Sequence, residues 1–390
     1  MSRKKILWLC SWYPNKKGPF DGDFIQRHAR AAALYNDIYV LHVAGDVSGK
    51  TGQTEDVITR TEGLTEHIVY YKRSASLVGK LLSHYRWLSL SKKAIREYIR
   101  NHRQPDLVHV HVPIKAGIAA LWVKKKFSIP FVVTEHWGIY NEVEVLNYTG
   151  RPAAFKRYTV KIFREAARFI SVSRYLAEGV NRLVTSKAYT VIPNVVDTTL
   201  FNYQDPQQSP FHFIHVSNMV PLKNAKGILH AFKLLLQQSS GADVRLIMVG
   251  YANAEIREYA SELGLKDASL SFRGEITYPQ VAVEMQQSHC LLIFSNIENS
   301  PCVIGEAFCC GVPVIATAVG GIPELVNESN AVLVKPGDEK SLAVTMQQMM
   351  VRYAAYNRKK IAEDAISKFS YLVTGKQFDE IYSATLRGRD

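Results

Sequence analysis

The segment at 298–306 reads ENSPCVIGE, two carboxylates enclosing a serine-proline turn and an apolar run. Acids so spaced can serve as general acid and base across a glycosidic bond, where the carboxyls stand about 5 to 9.5 Å apart. They can also bind a metal, clamp a polyol through acceptor-only oxygens, or stand as two solvated charges. Spacing alone leaves these readings open. The flanking residues say more about geometry: LLIFSN reads as a buried strand, and Pro301 suits the first turn of a helix. Glu298 then falls at a loop rim and Glu306 on the helix. The amides of Cys302, Val303 and Ile304 face outward at the helix start, where they form a cradle for a diphosphate approached past Asn299, Ser300 and Pro301. In that arrangement Glu306 is placed to accept from ribose hydroxyls and Glu298 from a sugar, which suits a nucleotide sugar.

Other chemistry-bearing residues also fall at strand ends. VHVHVPIKAG ends a strand at His111, and VVTEHWGIY ends the next at His136. A lone buried histidine is commonly structural, whereas two at successive strand ends are better candidates for one site. Lys223 follows FHFIHVSN in a loop, where it reads as a solvated lysine or as a point charge for a phosphate. After the first strand, YPNKKGPFDGDFIQRHARAAALY holds Gly18 and Gly22, which permit close backbone approach ahead of a helix expected near Asp21. No GxGxxG follows either opening strand, and HExxH, a phosphate-loop lysine motif and clustered Cys/His spacing are missing. A nicotinamide enzyme is disfavoured, and no metal centre is expected.

The elements that must position these residues are short β-rich runs alternating with amphipathic helical stretches, the pattern of parallel sheets covered by helices. The first series is KILWLCSW, IYVLHV, DLVHVHV, PFVVTEH, RFISVS and YTVIPN, with an extra strand pair across 54–72. The second begins after NYQDPQQSPF and runs FHFIHVSN, VRLIMVG, LSFRG, CLLIFSN, PVIATA and AVLVK. Two doubly wound α/β halves follow, with ligands expected at the carboxyl ends of the strands.

A chain of 390 residues exceeds what one hydrophobic core supports, and 47% hydrophobic residues is ordinary for a globular protein. No run of about 18 apolar residues appears and the basic start lacks a cleavage site, so a soluble cytoplasmic protein is expected. The five cysteines, at 10, 290, 302, 309 and 310, lack paired spacing and read as buried free thiols. Residues 1–195 carry 31 Lys and Arg against 15 Asp and Glu, whereas the remainder carries 17 against 20, so the net charge of +13 is entirely N-terminal. A basic half implies a polyanionic partner, nucleic acid or an anionic membrane surface. Without zinc-finger spacing or an RNP motif, no nucleic acid is expected.

ENSPCVIGEAFCCGVPVIATAVGGIPELV, together with VIPNVVDTTLF, HVSNMVPLKNAKGILHAF, LIMVG and LSFRG, resembles glycosyltransferase family 4, the retaining enzymes of the GT-B fold. The resemblance implies two Rossmann-like domains facing a cleft. The acceptor domain is expected at 1–200, joined by the terminal helix at 371–390, and the donor domain at 201–370. It further implies a nucleotide-sugar donor, UDP-sugar favoured over GDP-sugar, with no cofactor and no metal. The acceptor is a glycan or a lipid-linked molecule of cell-surface polysaccharide or glycolipid synthesis. A GT-B epimerase and a non-catalytic module binding anionic lipid or nucleic acid are the alternatives.

By the same resemblance Lys223 neutralises the donor diphosphate, Glu298 holds the sugar, and His136, with His111 second, stands near the reacting centre. Gly18, Asn218 and Gly250 join 299–304 and Glu306 in contacting the donor. Asn218 occupies a position where the family carries arginine, so Asn218 donates a weaker bond or another cation, Arg273 or an N-terminal arginine, substitutes. Asn299, Ser300 and Pro301 replace a Gly-Phe-Gly, which implies a different loop path. The stretch at 77–103, with VKKKF and FKRYTVKIFR, mixes Leu, Tyr and Trp with cations as an interfacial helix on anionic lipid does. A peripheral place on the inner face of the cytoplasmic membrane is therefore expected.

Overall fold

The computed structural model describes residues 3–46, 54–73, 76–141, 143, 147–205, 210–239, 241 and 243–388. The chain divides into two compact units, 1–195 with 371–390, and 196–370. The division falls after Val195 rather than at residue 200. Val196 N–H donates to the Phe369 carbonyl at 2.9 Å, and both side chains pack in the second unit's core.

In the first unit the elements run β1 (Lys5–Cys10), α1 (Asp23–Ala33), β2 (Asp37–Asp46), β3 (Thr54–Thr61), β4 (Leu64–Lys72) and α2 (Leu77–His102). They continue with β5 (Leu107–His111), α3 (Pro113–Phe127), β6 (Phe131–Glu135), α4 (Ala153–Glu165), β7 (Arg168–Ser171), α5 (Arg174–Leu183) and β8 (Tyr189–Val191). They build an eight-stranded sheet ordered β3-β4-β2-β1-β5-β6-β7-β8. All pairs are parallel except β3 with β4, the extra pair read from 54–72.

Strand alternation decides which side chains reach which face. Leu7 and Leu9 of β1 pack in the core that holds Ile95, Ala120 and Ile162, from α2, α3 and α4. Ile6, Trp8 and Cys10 enter the opposite core against α1. His109 and His111, two residues apart on β5, share that second face with Trp8.

The second unit holds β9 (Phe211–Val216), α6 (Ala225–Gln238), β10 (Val244–Val249), α7 (Ala254–Glu262), β11 (Leu270–Gly274) and α8 (Tyr278–Gln286). After these come β12 (Cys290–Ile293), α9 (Cys302–Cys309), β13 (Val314–Thr317), β14 (Ala331–Val334), α10 (Glu339–Arg352) and α11 (Arg358–Phe369). Its sheet is all parallel, ordered β11-β10-β9-β12-β13-β14. Counted from β9 this is the order 3-2-1-4-5-6 of a doubly wound sheet, whose binding crevice opens where β9 and β12 adjoin. Phe213, Phe232 and Phe294 fill one face and Phe308 and Ile304 the other. Each such fully buried side chain contributes about 1.5–3 kcal/mol over leaving it exposed.

The last helix, α12 (Tyr371–Arg387), returns to the first unit, where Phe378 and Tyr382 are fully buried with α1 and β1. No helix among the described residues is long and apolar enough to cross a membrane.

Candidate active site

The crevice of the second unit is lined by the loops that leave β9 and β12. Buried His215 on β9 donates from Nδ1 to the Leu292 carbonyl at 2.9 Å, so Nε2 accepts from Ser217 Oγ at 2.7 Å. Ser217 Oγ in turn accepts the Met219 N–H at 2.9 Å and bends the chain into the turn Pro221–Lys223. Burial pushes the His215 pKa down to about 4, the Lys223 charge adding to the shift, so the ring is a neutral strut. Asn296 N–H donates to the Leu222 carbonyl at 2.8 Å and ties the two loops together.

Lys223 Nζ and Glu298 Oε1 meet at 2.7 Å, and Ser295 Oγ donates to the same oxygen at 2.8 Å. Behind them Thr317 Oγ1 donates to the Ser295 carbonyl at 2.7 Å. The Glu298 carbonyl accepts the Gly321 N–H at 3.0 Å. Gly320 at φ +54 passes so close that a Cβ there would lie 1.9 Å from the Glu298 carbonyl oxygen. Glu298 is therefore fixed from four sides and only 9% exposed, not the loop-rim acid expected from its sequence. Among the described residues no donor reaches Oε2, which stands available to a ligand hydroxyl.

Two corrections concern the segment that follows. Pro301 lies outside α9 as its extended N-cap residue, with φ −66° and ψ 121°, rather than in the first turn. The Ile304 amide is not open, because it donates to the Pro301 carbonyl at 3.3 Å and tightens the first turn. The cradle expected over 302–304 thus loses its third amide. Asn299 and Pro301 are half-buried and Ser300 is buried, so NSP packs inward. Glu306 is only 3% exposed rather than a solvated helix residue, and it accepts from Tyr278 OH of α8 at 3.1 Å.

Gly250, after β10, sits at φ +118 with a Cβ position 1.8 Å from the Ser217 carbonyl oxygen, so only glycine lets these strand ends converge. Asn218 is exposed one residue further along. Arg273, a candidate substitute cation, is ion-paired with Glu284 of α8 at 2.8 Å.

In the first unit β5 and β6 carry the histidines. His111 Nδ1 and His136 Nε2 are 3.2 Å apart and hold one proton between them. Trp8 stacks on His111 at 4.0 Å, and His109 is bonded to Tyr382 OH at 2.7 Å and Thr134 Oγ1 at 2.6 Å. His28 of α1 reaches the Pro193 carbonyl at 3.2 Å. Burial drives His109, His111 and His136 well below the ordinary histidine pKa, and His28 down to about 4.

Buried Glu135 accepts the His136 and Trp137 amides, each at 2.9 Å, and Tyr140 OH at 2.7 Å, so it sets the loop that carries His136. Its own burial raises its pKa to about 7. Gly18 lies in a tight turn bridged to Asn15, ahead of α1, which starts at Asp23, two residues past Asp21, with Gly22 as its N-cap.

Two protein-family models match the chain, Glycosyltransferase Family 4 over residues 25–200 and Glycosyl transferases group 1 over residues 197–367. The chain belongs to the group 1 glycosyltransferases. Over 401 aligned residues this glycosyltransferase is 25% identical to a Bacillus subtilis protein bearing the name teichuronic acid biosynthesis glycosyltransferase TuaC, covering 96% of this chain and 95% of that one. It superposes on sucrose-phosphate synthase from Thermosynechococcus elongatus with a TM-score of 0.78 at 18% identity, over 99% of this chain and 100% of the other. For Anabaena HepE in complex with UDP the TM-score is 0.72 at 21% identity, over 97% and 100%. At these identities the superpositions establish the GT-B fold.

The glycosyltransferase's candidate residues thus form two groups. Lys223, Glu298, Gly250 and the start of α9 converge in the second unit with Glu306 beneath, while His111, His136 and Gly18 belong to the first. Sequence reasoning missed His215, Ser295, Tyr278, Glu135 and His28. Only His215 left a local signal, a polar residue inside the buried run FHFIHV.

Proposed function

We propose that this glycosyltransferase transfers a sugar with retention from a nucleotide-sugar donor, UDP-sugar favoured, to a glycan or lipid-linked acceptor of cell-surface polysaccharide or glycolipid synthesis. The observation that carries the reading is the Lys223–Glu298 pair at the switch point between β9 and β12. Lysine has three N–H donors and spends one on Glu298, so two remain for a diphosphate. That charge, with the leading amides of α9, stabilises the departing diphosphate without a metal. Glu298 Oε2 accepts from a sugar hydroxyl and Glu306 from the ribose. With no carboxylate assigned as nucleophile, the acceptor attacks from the face the diphosphate leaves, and the leaving phosphate takes its proton. His136, backed by His111 in the first unit, is assigned the role of a neutral group that steadies the oxocarbenium-like centre. UDP in the HepE complex supports the choice of base.

A peripheral membrane place on the cytoplasmic face belongs to the same reading. On α2, Leu82 and Tyr85 are 63% and 71% exposed, and Arg86, Lys92, Lys93 and Arg96 lie on the same helix. Anionic lipid attracts such a face and apolar tips anchor it.

The test is incubation with UDP-, GDP- and ADP-sugars. Release of the nucleoside diphosphate supports the proposal, an isomerised sugar nucleotide points to an epimerase, and no binding to a non-catalytic module. If vesicles carrying anionic lipid leave the protein unbound at low salt, the membrane part is wrong.

A further inference from the structure

No metal-ligand spacing is visible in the sequence, yet the fold assembles a ligand set from three distant positions. His28 of α1, His111 at the end of β5 and His136 after β6 are all buried, and one ring nitrogen from each lies within 4.8 Å of the others. We propose that these three imidazoles form a binding site for a borderline transition-metal cation of the Zn2+ class.

The geometry supports this at each ligand. Tetrahedral zinc with Zn–N of 2.0–2.1 Å sets neighbouring nitrogens about 3.3 Å apart. The 3.2 Å between His111 Nδ1 and His136 Nε2 already matches one edge of that tetrahedron. Drawing the widest pair in from 4.8 Å asks for about 1.5 Å of approach, within reach of a side-chain rotation. His28 donates its Nε2 proton to the Pro193 carbonyl at 3.2 Å, so its Nδ1 carries the lone pair. A ring nitrogen proton held by a backbone carbonyl is the arrangement that orients metal-bound histidines. Nδ1 of His28 is buried and finds no hydrogen-bond partner among the described residues. A buried polar atom left unpaired is costly, and a cation supplies the partner that neither neighbour does.

The tautomers balance without net proton release. The proton between His111 and His136 moves to the outer nitrogen of whichever ring donated it, freeing both inner lone pairs, and a water completes the fourth position. The donor set is all nitrogen, which selects Zn2+, Co2+, Ni2+ or Cu2+ over Mg2+ and Ca2+, cations that prefer oxygen. A consequence rests on the role assigned to His136 above: an ion at this site engages that ring and inhibits transfer.

The full-length protein, stripped with a chelator, is titrated with Co2+ and then with Zn2+. One saturable Co2+ site with the visible absorption of tetrahedral nitrogen coordination, displaced by Zn2+ and not by Mg2+, is expected. His28→Gln should weaken it by at least about tenfold. His230→Ala, at the surface pair with Glu339, should leave it unchanged. Absence of saturable Co2+ binding, or binding undiminished in His28→Gln, overturns the site. If His28→Gln does not fold, anomalous scattering at the zinc edge from wild-type crystals decides, and an ion anywhere but among the three rings rejects the proposal. Bound Zn2+ with unchanged initial rates removes His136 from the reaction while the site itself stands.

Discussion

Lys223 and Glu298 are 75 residues apart in the chain, and their side chains meet at 2.7 Å across the junction of β9 and β12. Glu298 is nearly enclosed and Lys223 half-buried, so the pair is an anchored charge that keeps two lysine donors and one carboxylate oxygen for a ligand.

Removing either member separates chemistry from folding. Lys223→Ala is expected to lower kcat by about 10²–10³, the loss typical of one transition-state donor. Glu298→Ala should also lose most turnover. Both should keep a native circular-dichroism melt, and initial rates near wild type in either variant contradict the assignment.

The role proposed for Glu306, a ribose acceptor that takes no part in the chemistry, puts its signature in KM. Loss of a charged hydrogen bond to ribose should raise the donor KM in Glu306→Gln by about 10- to 100-fold with a smaller change in kcat. A 2′-deoxyribose donor should be impaired with the wild type and no further impaired with the variant. A variant that still discriminates the deoxy donor as strongly as the wild type places the ribose elsewhere.

Thiol chemistry reports on the start of α9. Cys302 is half-exposed, whereas Cys10, Cys290, Cys309 and Cys310 are buried. Burial raises all four of those thiols, Cys309 to about 12. Iodoacetamide should therefore add first at Cys302, and UDP should protect it. Equal labelling with and without saturating UDP, read by intact mass and peptide mapping, moves the diphosphate away from this helix.

His215 makes the second unit sensitive to acid. Its folded pKa, about 4, lies below the unfolded value near 6.5, so the unfolded chain binds the extra proton between them. Stability is full above pH 6.5 and falls as pH drops toward 4, by about 2 kcal/mol between pH 7 and pH 5 from this ring. Urea midpoints at the two pH values measure it, and His215→Gln should flatten that part of the slope.

Gly320 holds Glu298 through the backbone. Alanine at φ +54 costs about 1–3 kcal/mol, and its Cβ meets the Glu298 carbonyl oxygen. Gly320→Ala should lower the urea midpoint and turnover together. Unchanged stability shows that the loop yields freely.

What the sequence determined by itself was periodicity and punctuation. Buried runs such as CLLI and VIAT alternate with helices of one apolar face, and this local pattern suffices for two doubly wound sheets. The resemblance of their flanking segments to the family put Lys223, Glu298 and Glu306 forward as candidates. Tertiary structure decided which of them touch and how deeply each is buried. The strand order 3-2-1-4-5-6 makes neighbours of β9 and β12, and no local window encodes that adjacency. The same reason hid Tyr278 against Glu306 and brought His28 from α1 to His111 and His136. A side chain's partners are set by which elements pack across a sheet face, and its burial by those partners, so both appear only once the chain has folded.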